Sequence, residues 1–250
     1  MCLLGPRSAS SSSWTASARK ALSIYILAWD FHLVFALERE WMQKVLFHWM
    51  TNPRFHFLFD DCRTVGGSHH QKFIVIDGTL AFLGGMDVCE ARWDDRRHLA
   101  HNPVRLSHGK PQKPYHDVQT YFVGEDAAKA LTRLFLDRWV RAGGESLTLP
   151  ESVGAPPESG EPRRALALGA TRVAFSRTDP QGKEPAIREI EQLFVDAIEA
   201  AERLIYVETQ HFRSRIIYDA LVSRMRAAGR SRLEIVVVTV TGTSPRGLGT

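Results

Sequence analysis

Apolar and polar positions predict strands and helices in alternation along most of the chain. Continuous apolar runs at 23–29 and 233–240 predict buried strands, because a strand covered on both faces shows no alternation. Further strands are predicted over 54–59, 117–123, 173–175 and 204–208. Apolar residues at helical spacing predict helices over 37–49, 127–140, 184–203 and 216–228. This order favours an α/β fold with a mainly parallel sheet flanked by helices.

Two β-rich segments meet at Asp77-Gly78 and predict a tight hairpin. The first segment runs over 68–77 and the second over 79–84. Residues two apart on a strand share a face, so His70 and Lys72 are expected to project together. Ile74 and Ile76 are expected to continue that face toward the interior.

Glycine and proline divide the chain, since between Gly143 and Pro162 eight of twenty residues are Gly or Pro. This composition predicts a linker, and a serine-rich start predicts a frayed lead-in. The expected organisation is a disordered lead-in, a first unit, the linker and a second unit. Their predicted bounds are 1–17, 18–142, 143–163 and 164–250.

Composition narrows the class of protein without naming a function. With 44% hydrophobic and 24% charged residues, the 250-residue chain is ordinary for a globular protein and excludes collagen-like or wholly disordered classes. Its three cysteines and its acidic residues show no metal-ligand spacing, so no cofactor is expected. A net charge of +4 is compatible with phosphate esters or acidic membrane surfaces. No stretch predicts a membrane span or a signal peptide, so a cytoplasmic or peripheral membrane location is expected.

The segment that carries chemistry is His70-Gln71-Lys72, with Asp77 five residues after the lysine. An imidazole beside an ammonium suits a phosphoryl group. The lysine offsets charge on the non-bridging oxygens, and the histidine can attack phosphorus or move a proton. Asp77 is expected on the opposite face at the turn, where its role would be structural.

This pattern resembles the phospholipase D superfamily, whose signature is His-x-Lys-x4-Asp followed by a glycine-rich turn with an Asn or Asp. The chain reads His70-Gln71-Lys72-Phe-Ile-Val-Ile-Asp77, and then Gly84-Gly85-Met86-Asp87. The Arg-Trp-Asp at 92–94 is closer to the phospholipase branch than to the nuclease branch. Similar stretches at 115–118, 134–139, 177–178 and 205–212 extend the resemblance over most of the chain from about residue 18.

The resemblance implies a role for each matching residue. His70 would be the nucleophile that forms a phosphohistidine, or its acid/base partner. Lys72 would bind phosphate oxygens, Asp117 would orient a catalytic imidazole, and Asp77 would hold the hairpin. Gly85 and Asp87, in the glycine-rich turn, would line the phosphate pocket.

Two further candidates for substrate binding each have a structural role as an alternative. His116 precedes Asp117 and is either part of the site or a packing residue. Gln210 follows the strand predicted at 204–208, at the end where open α/β sheets place ligands, although structural hydrogen bonding is the preferred alternative.

The chain departs from the superfamily in one respect, since superfamily enzymes build one site from two His-x-Lys motifs, one in each half. One histidine attacks while the other protonates the leaving alcohol. This sequence has one complete motif, because His108-Gly109-Lys110 lacks the following aspartate and lies in a predicted loop. Three explanations for the single motif stay open. The preferred one is that the chain is a fragment, with 164–250 as the beginning of a truncated second half. The others are a homodimer that brings two copies of His70 together and an inactive phosphate-binding remnant.

The resemblance implies hydrolysis or transphosphatidylation of glycerophospholipids without a metal. The alternatives are a single-motif phosphodiesterase acting on nucleic acid as a homodimer, and a non-catalytic module that binds phosphate or acidic lipid. Residues 95–114 carry five basic and three histidine side chains, which predict either a solvated loop or a contact with headgroups. Tyr115 is the only aromatic residue near them, so nucleic acid is not expected as a partner.

Overall fold

The computed structural model describes residues 23–29, 54–60, 69–148, 168, 172–179 and 186–239. The chain divides into two compact units, 1–171 and 172–250. The predicted helix at 37–49, the lead-in and most of the predicted linker lie outside the described residues. The predicted bounds of the two halves therefore stay predictions.

The first unit contains a parallel pair of strands and an antiparallel sheet. Strands β1 (Ile24–Trp29) and β2 (Phe55–Asp60) run parallel, with Ile24 opposite Phe55. Strands β3 (Lys72–Ile76), β4 (Leu80–Gly84) and β7 (Gln119–Val123) form an antiparallel sheet in the order β3-β4-β7. Between β4 and β7 lie a short 3-10 helix (Glu90–Arg92) and a hairpin of β5 (Leu106–Ser107) and β6 (Lys110–Pro111).

The predicted hairpin turn at Asp77-Gly78 is confirmed. The Thr79 amide donates to the Ile76 carbonyl at 3.2 Å, which closes the turn. Asp77 and Gly78 have φ of 48° and 67°, and a type I′ turn requires positive φ at both positions. The turn brings β3 and β4 together, with Lys72 opposite Gly84, whereas His70 and Gln71 precede the paired strand.

Helix α1 (Glu125–Arg141) covers one face of the antiparallel sheet and contacts β2, β3, β4 and β7. Its residues Ala128, Leu131 and Trp139 are buried, as is Ala81 in β4. The helix predicted over 127–140 is therefore confirmed, with Leu131 and Trp139 on its inner face.

The expectation that Ile74 and Ile76 face the interior is wrong. They are 40% and 42% exposed. Their neighbour Val75 lies opposite the fully buried Ala81. Because side chains alternate along a strand, the face that packs inward is the one that carries Val75, and the two isoleucines lie on the other.

The described residues of the second unit contain two helices and two pairs of strands. Strands β8 (Thr178–Asp179) and β9 (Ile187–Arg188) pair antiparallel and precede helix α2 (Glu189–Ala200). Strand β10 (Leu204–Glu208) pairs parallel with β11 (Glu234–Val238). Between them lies helix α3 (Arg215–Arg226), whose first turn is capped by the Ser214 hydroxyl.

Three details of the second unit differ from the predictions. Residues 173–175 are not a strand, because the ladder forms at 178–179 instead. Helix α2 begins at Glu189 because residues 187–188 pair with β8. The strand predicted as buried at 233–240 is β11, in which Val237 and Val238 are exposed.

The described residues form a mixed α/β fold, but the predicted mainly parallel sheet is not confirmed. Within the described ranges, two strand pairs are parallel and three sheets are antiparallel. The physical reason lies in the connections, since a tight turn such as Asp77-Gly78 can join only antiparallel neighbours, whereas parallel strands need a long crossover.

Candidate active site

The centre of the candidate site is the ammonium of Lys72, the first residue of β3. The Lys72 side chain is 7% exposed, although it carries a charge. Its Nζ donates to the His70 carbonyl at 2.8 Å and lies 3.3 Å from Asp87 Oδ1. A buried ammonium needs such partners, because removing a charge from water costs free energy unless it is paired. The lysine is therefore held in place beside the histidine.

His70 lies two residues before the start of β3, and as a residue it is exposed. Partial burial lowers the pKa of its imidazole below the ordinary 6.5, and the charge of Lys72 lowers it further, while Asp87 opposes the shift. The lowered pKa favours the neutral imidazole near pH 7. This is the form that can attack phosphorus or accept a proton.

Asp87 connects two cations. Its Oδ1 faces Lys72, while Arg92 Nη2 lies 3.5 Å from its Oδ2. The Arg92 guanidinium also lies over the ring of Tyr115, 4.7 Å from the ring centroid. Two cations and one carboxylate leave one net positive charge, which matches a singly charged phosphodiester.

Gly85 lies against the carboxylate of Asp117. A Cβ at residue 85 would lie 2.9 Å from Asp117 Oδ2, closer than real Cβ contacts allow. Glycine leaves room for this carboxylate, which a side chain at residue 85 would displace. Asp117 Oδ1 accepts a hydrogen bond from the Val118 amide at 2.7 Å. No hydrogen bond joins Asp117 to His70 in the part of the chain that the structure describes, so its predicted orienting role stays a prediction.

The other predicted site residues are more dispersed. Asp77 lies at the exposed tip of the hairpin, in the left-handed region. The His116 ring lies 6.0 Å from the His98 ring, and His98 Nδ1 lies 2.8 Å from Asp94 Oδ2. Gln210 follows β10 in the second unit and is exposed. The substrate-binding roles of His116 and Gln210 stay predictions.

A buried ion pair lies next to the His-x-Lys segment. Asp60 ends β2 and Arg138 lies in the last turn of α1, and each residue is 6% exposed. Arg138 Nε donates to Asp60 Oδ2 at 3.1 Å, and its Nη1 donates to Gln71 Oε1 at 2.8 Å. His69 Nε2 lies 3.3 Å from the same Asp60 oxygen. Burial would raise the pKa of Asp60, but His69 and Arg138 lower it to about 2.

Arg105 changes the interpretation of the basic stretch at 95–114. It is 1% exposed, and it donates to the carbonyls of Leu99, Ala100 and Gln112 at 2.8, 2.9 and 3.0 Å. Its Nη1 also donates to Asp94 Oδ1 at 2.7 Å. This arginine therefore organises the loop from inside and is neither solvated nor free to bind a headgroup. The other basic side chains, Arg96, Arg97, Lys110 and Lys113, are exposed.

Sequence reasoning found His70, Lys72 and Asp87 but missed the Asp60–Arg138 pair and gave Arg92 no role. The pair joins residues 78 positions apart, so no local pattern could reveal it. Among the described residues, no group of three or more His, Cys, Asp or Glu side chains could hold a metal ion. No helix in the described ranges is both long enough and apolar enough to cross a bilayer.

Comparison with known proteins agrees with the motif. No family model matches the chain. The chain is 27% identical over 195 residues to phospholipase D alpha 1 of Zea mays, a match that covers 58% of this chain and 24% of the relative. It is 26% identical over 219 residues to phospholipase D1 of Saccharomyces cerevisiae, covering 66% and 13% respectively. For phospholipase D alpha 4 of Arabidopsis thaliana, identity is 27% over 177 residues, covering 58% and 23%.

These relatives define the class of protein that the chain resembles. The resemblance to the phospholipase D superfamily that the motif predicts is confirmed. The chain spans less than a quarter of the length of these relatives.

Proposed function

We propose that this chain carries half of the active site of a phospholipase D-type phosphodiesterase, in a phospholipase D-like fold. Its substrates would be glycerophospholipids, and the products would arise by hydrolysis or by transphosphatidylation. One observation carries the proposal: the buried Lys72 ammonium, held between the His70 carbonyl and Asp87, lies beside an imidazole whose pKa is lowered. The names of the curated relatives support the same substrate class.

In the proposed reaction, the neutral imidazole of His70 attacks phosphorus and the bond to the headgroup oxygen breaks. This forms a phosphohistidine that carries the phosphatidyl group. Lys72 and Arg92 offset the charge that develops on the phosphoryl oxygens. Water or an acceptor alcohol then attacks phosphorus, which releases phosphatidic acid or a new phosphodiester and regenerates His70.

The leaving alcohol needs a proton, and so the proposal includes a second histidine. The 250 residues contain one complete His-x-Lys-x4-Asp motif. A second motif would come from a further segment of the polypeptide, which we favour, or from a second copy of this chain. In either arrangement one imidazole attacks while the other acts as general acid and later as general base.

Contact with an acidic membrane surface would bring the site to its substrate. The exposed cations Arg96, Lys110 and Lys113 belong to the stretch between β4 and β7, as do Asp87 and Arg92. Basic side chains near an anionic surface contribute about 1 kcal/mol each to attraction. This attraction would weaken as salt is added.

The test compares two histidines that share the His-x-Lys spacing. Wild type, His70→Asn and His108→Asn are each prepared in a polypeptide that also supplies a second His-x-Lys motif. They are incubated with phosphatidylcholine vesicles containing phosphatidic acid, and choline release is measured beside cleavage of single-stranded DNA. Asparagine suits the control because His108 has a positive φ of 51°, which asparagine tolerates. Choline release that is lost in His70→Asn and kept in His108→Asn supports the proposal.

Three results would contradict it. Dominant DNA cleavage would indicate the nuclease alternative. Choline release that persists in His70→Asn would remove this histidine from the mechanism. Vesicle binding without turnover of either substrate, in a polypeptide that also supplies a second His-x-Lys motif, would favour the non-catalytic module.

A further inference from the structure

We propose that Arg138 is a positioning residue for His70, which it restrains by holding Gln71 directly and His69 through Asp60. The inference rests on the proposed function, since it assigns Arg138 a role in the reaction of that histidine. Nothing in the His-x-Lys pattern itself points to Arg138, which lies 67 residues beyond Gln71 in the chain.

The Arg138 guanidinium binds Gln71 directly and is linked to His69 through Asp60, so it is connected to the residues on both sides of His70. One side of the guanidinium donates to Asp60 Oδ2, the oxygen that lies 3.3 Å from His69 Nε2. Its Nη1 donates to Gln71 Oε1 at 2.8 Å. His70 lies between these two residues and is exposed, whereas both of them are partly buried. The residues on each side are therefore restrained by contacts of their side chains, whereas His70 as a residue is exposed.

A restraint on both flanks limits how far the backbone of His70 can move. The Lys72 ammonium adds a third restraint, because it donates a hydrogen bond to the His70 carbonyl at 2.8 Å. Movement of the His70 backbone would break this hydrogen bond. In-line attack on phosphorus depends on holding the nucleophile in a narrow range of positions. A displacement of about 1 Å can cost about 100-fold in rate.

Other buried arginines in the described residues make different bonds. Arg105 donates to three backbone carbonyls and to the Asp94 carboxylate, all within the stretch between β4 and β7, and Arg224 Nε donates to the Ala201 carbonyl. These bonds stabilise chain segments. By contrast, the hydrogen bonds of Arg138 described above go to the side chains of Asp60 and Gln71, next to the proposed nucleophile. Because the pKa of Asp60 is lowered to about 2, the carboxylate that Arg138 binds is ionised at neutral pH.

The first test uses Gln71→Ala, which removes one link and leaves the buried Asp60–Arg138 pair intact. Gln192→Ala is the matched control, because Gln192 also makes one side-chain hydrogen bond, to Asp196 in the second unit. The expected result for Gln71→Ala is a kcat that falls about 10- to 100-fold with little change in KM. A purely structural role predicts no change in kcat beyond that of the control.

The second test uses Arg138→Lys with Arg224→Lys as its control, since both arginines are buried in helices. Both variants are expected to lower the thermal midpoint by similar amounts. Only Arg138→Lys is expected to disturb His70, because lysine cannot reproduce two hydrogen bonds in the arginine geometry.

A readout independent of turnover separates this inference from the proposed function. The Cε1–H resonance of the His70 ring, assigned by its loss in His70→Asn, is recorded by NMR in each variant. Broadening or splitting in Gln71→Ala and Arg138→Lys, with the controls unchanged, supports positioning even if no phospholipid is hydrolysed. An unchanged His70 resonance in both variants would overturn the inference, as would a kcat equal to that of the controls.

Discussion

Replacing Asp60 by asparagine tests the buried ion pair behind the site. The change keeps the size of the side chain but removes its charge, and it leaves the Arg138 guanidinium buried without a counter-charge. His69 loses the same partner. The expected result is a clear loss of stability, because a buried charge without compensation costs far more than an exposed one.

The size of the loss follows from two independent considerations. The pKa of Asp60 falls from 3.8 to about 2 in the folded protein. A shift of this size corresponds to about 2 kcal/mol of stability at neutral pH. Removing one partner of a buried pair typically costs about 3–5 kcal/mol. The free energy of unfolding of Asp60→Asn is therefore expected to be lower by about 2–5 kcal/mol at pH 6.

The loss should also depend on pH with a defined sign. Because the folded pKa lies below the unfolded value, the ionised carboxylate stabilises the fold above pH 3.8, and this contribution is lost as the pH falls toward 2. About 1 kcal/mol of it is already lost at pH 3. The stability difference between wild type and Asp60→Asn should shrink by that amount between pH 6 and pH 3.

Urea unfolding followed by tryptophan fluorescence measures these differences, since the buried Trp139 lies one residue after Arg138. Asp219→Asn serves as a control, because it removes a carboxylate from an exposed pair with Arg215. This control should cost far less, since exposed ion pairs contribute little. An Asp60→Asn variant as stable as the control would refute the reasoning, as would a stability difference that does not change with pH.

Three further predictions concern the site and the loop beside it. The acid limb of kcat/KM should have its midpoint below pH 6.5, because burial and Lys72 lower the pKa of His70. The neutral imidazole reacts, and it is lost as the pH falls through the lowered pKa of His70. A midpoint above pH 6.5 in a pH–rate profile would contradict this. Gly85→Ala should lower the free energy of unfolding in urea by about 1–3 kcal/mol, because the added methyl group meets the Asp117 carboxylate. The double variant with Asp117→Ala should recover most of this stability. A double variant that recovers none would show that the clash is not the cause. Arg105→Lys should make the loop more sensitive to limited proteolysis than the exposed control Arg96→Lys, since it loses buried hydrogen bonds; equal cleavage rates would contradict the anchoring role.

Local signals predicted the elements that carry the motif. The Asp77-Gly78 dipeptide predicted the hairpin because only a few residues adopt positive φ at low cost, and the structure has positive φ at both positions. The helix at 125–141 was predicted from the helical spacing of its apolar residues, which is also a local signal. These features depend on residues close together in sequence.

Features set by distant contacts could not be predicted in this way. The pairing of 187–188 with 178–179 determines where helix α2 begins, and spacing within the helix does not report it. The burial of Arg105 and Arg138 could not be predicted from local spacing, since burial of an arginine depends on carbonyls and carboxylates brought from elsewhere. The inward direction expected for Ile74 failed because hydrophobicity alone does not decide which face of β3 meets the helix.

The central claim is that His70 is the nucleophile of a phosphoryl-transfer site. Its most direct test is mass spectrometry of the protein quenched during incubation with phosphatidylcholine vesicles, followed by mapping of any phosphatidyl or phosphoryl adduct. An acid-labile adduct is expected on the peptide that contains His70, absent in His70→Asn and present in His108→Asn. Turnover with an adduct on another residue, or turnover that His70→Asn leaves unchanged, would contradict it.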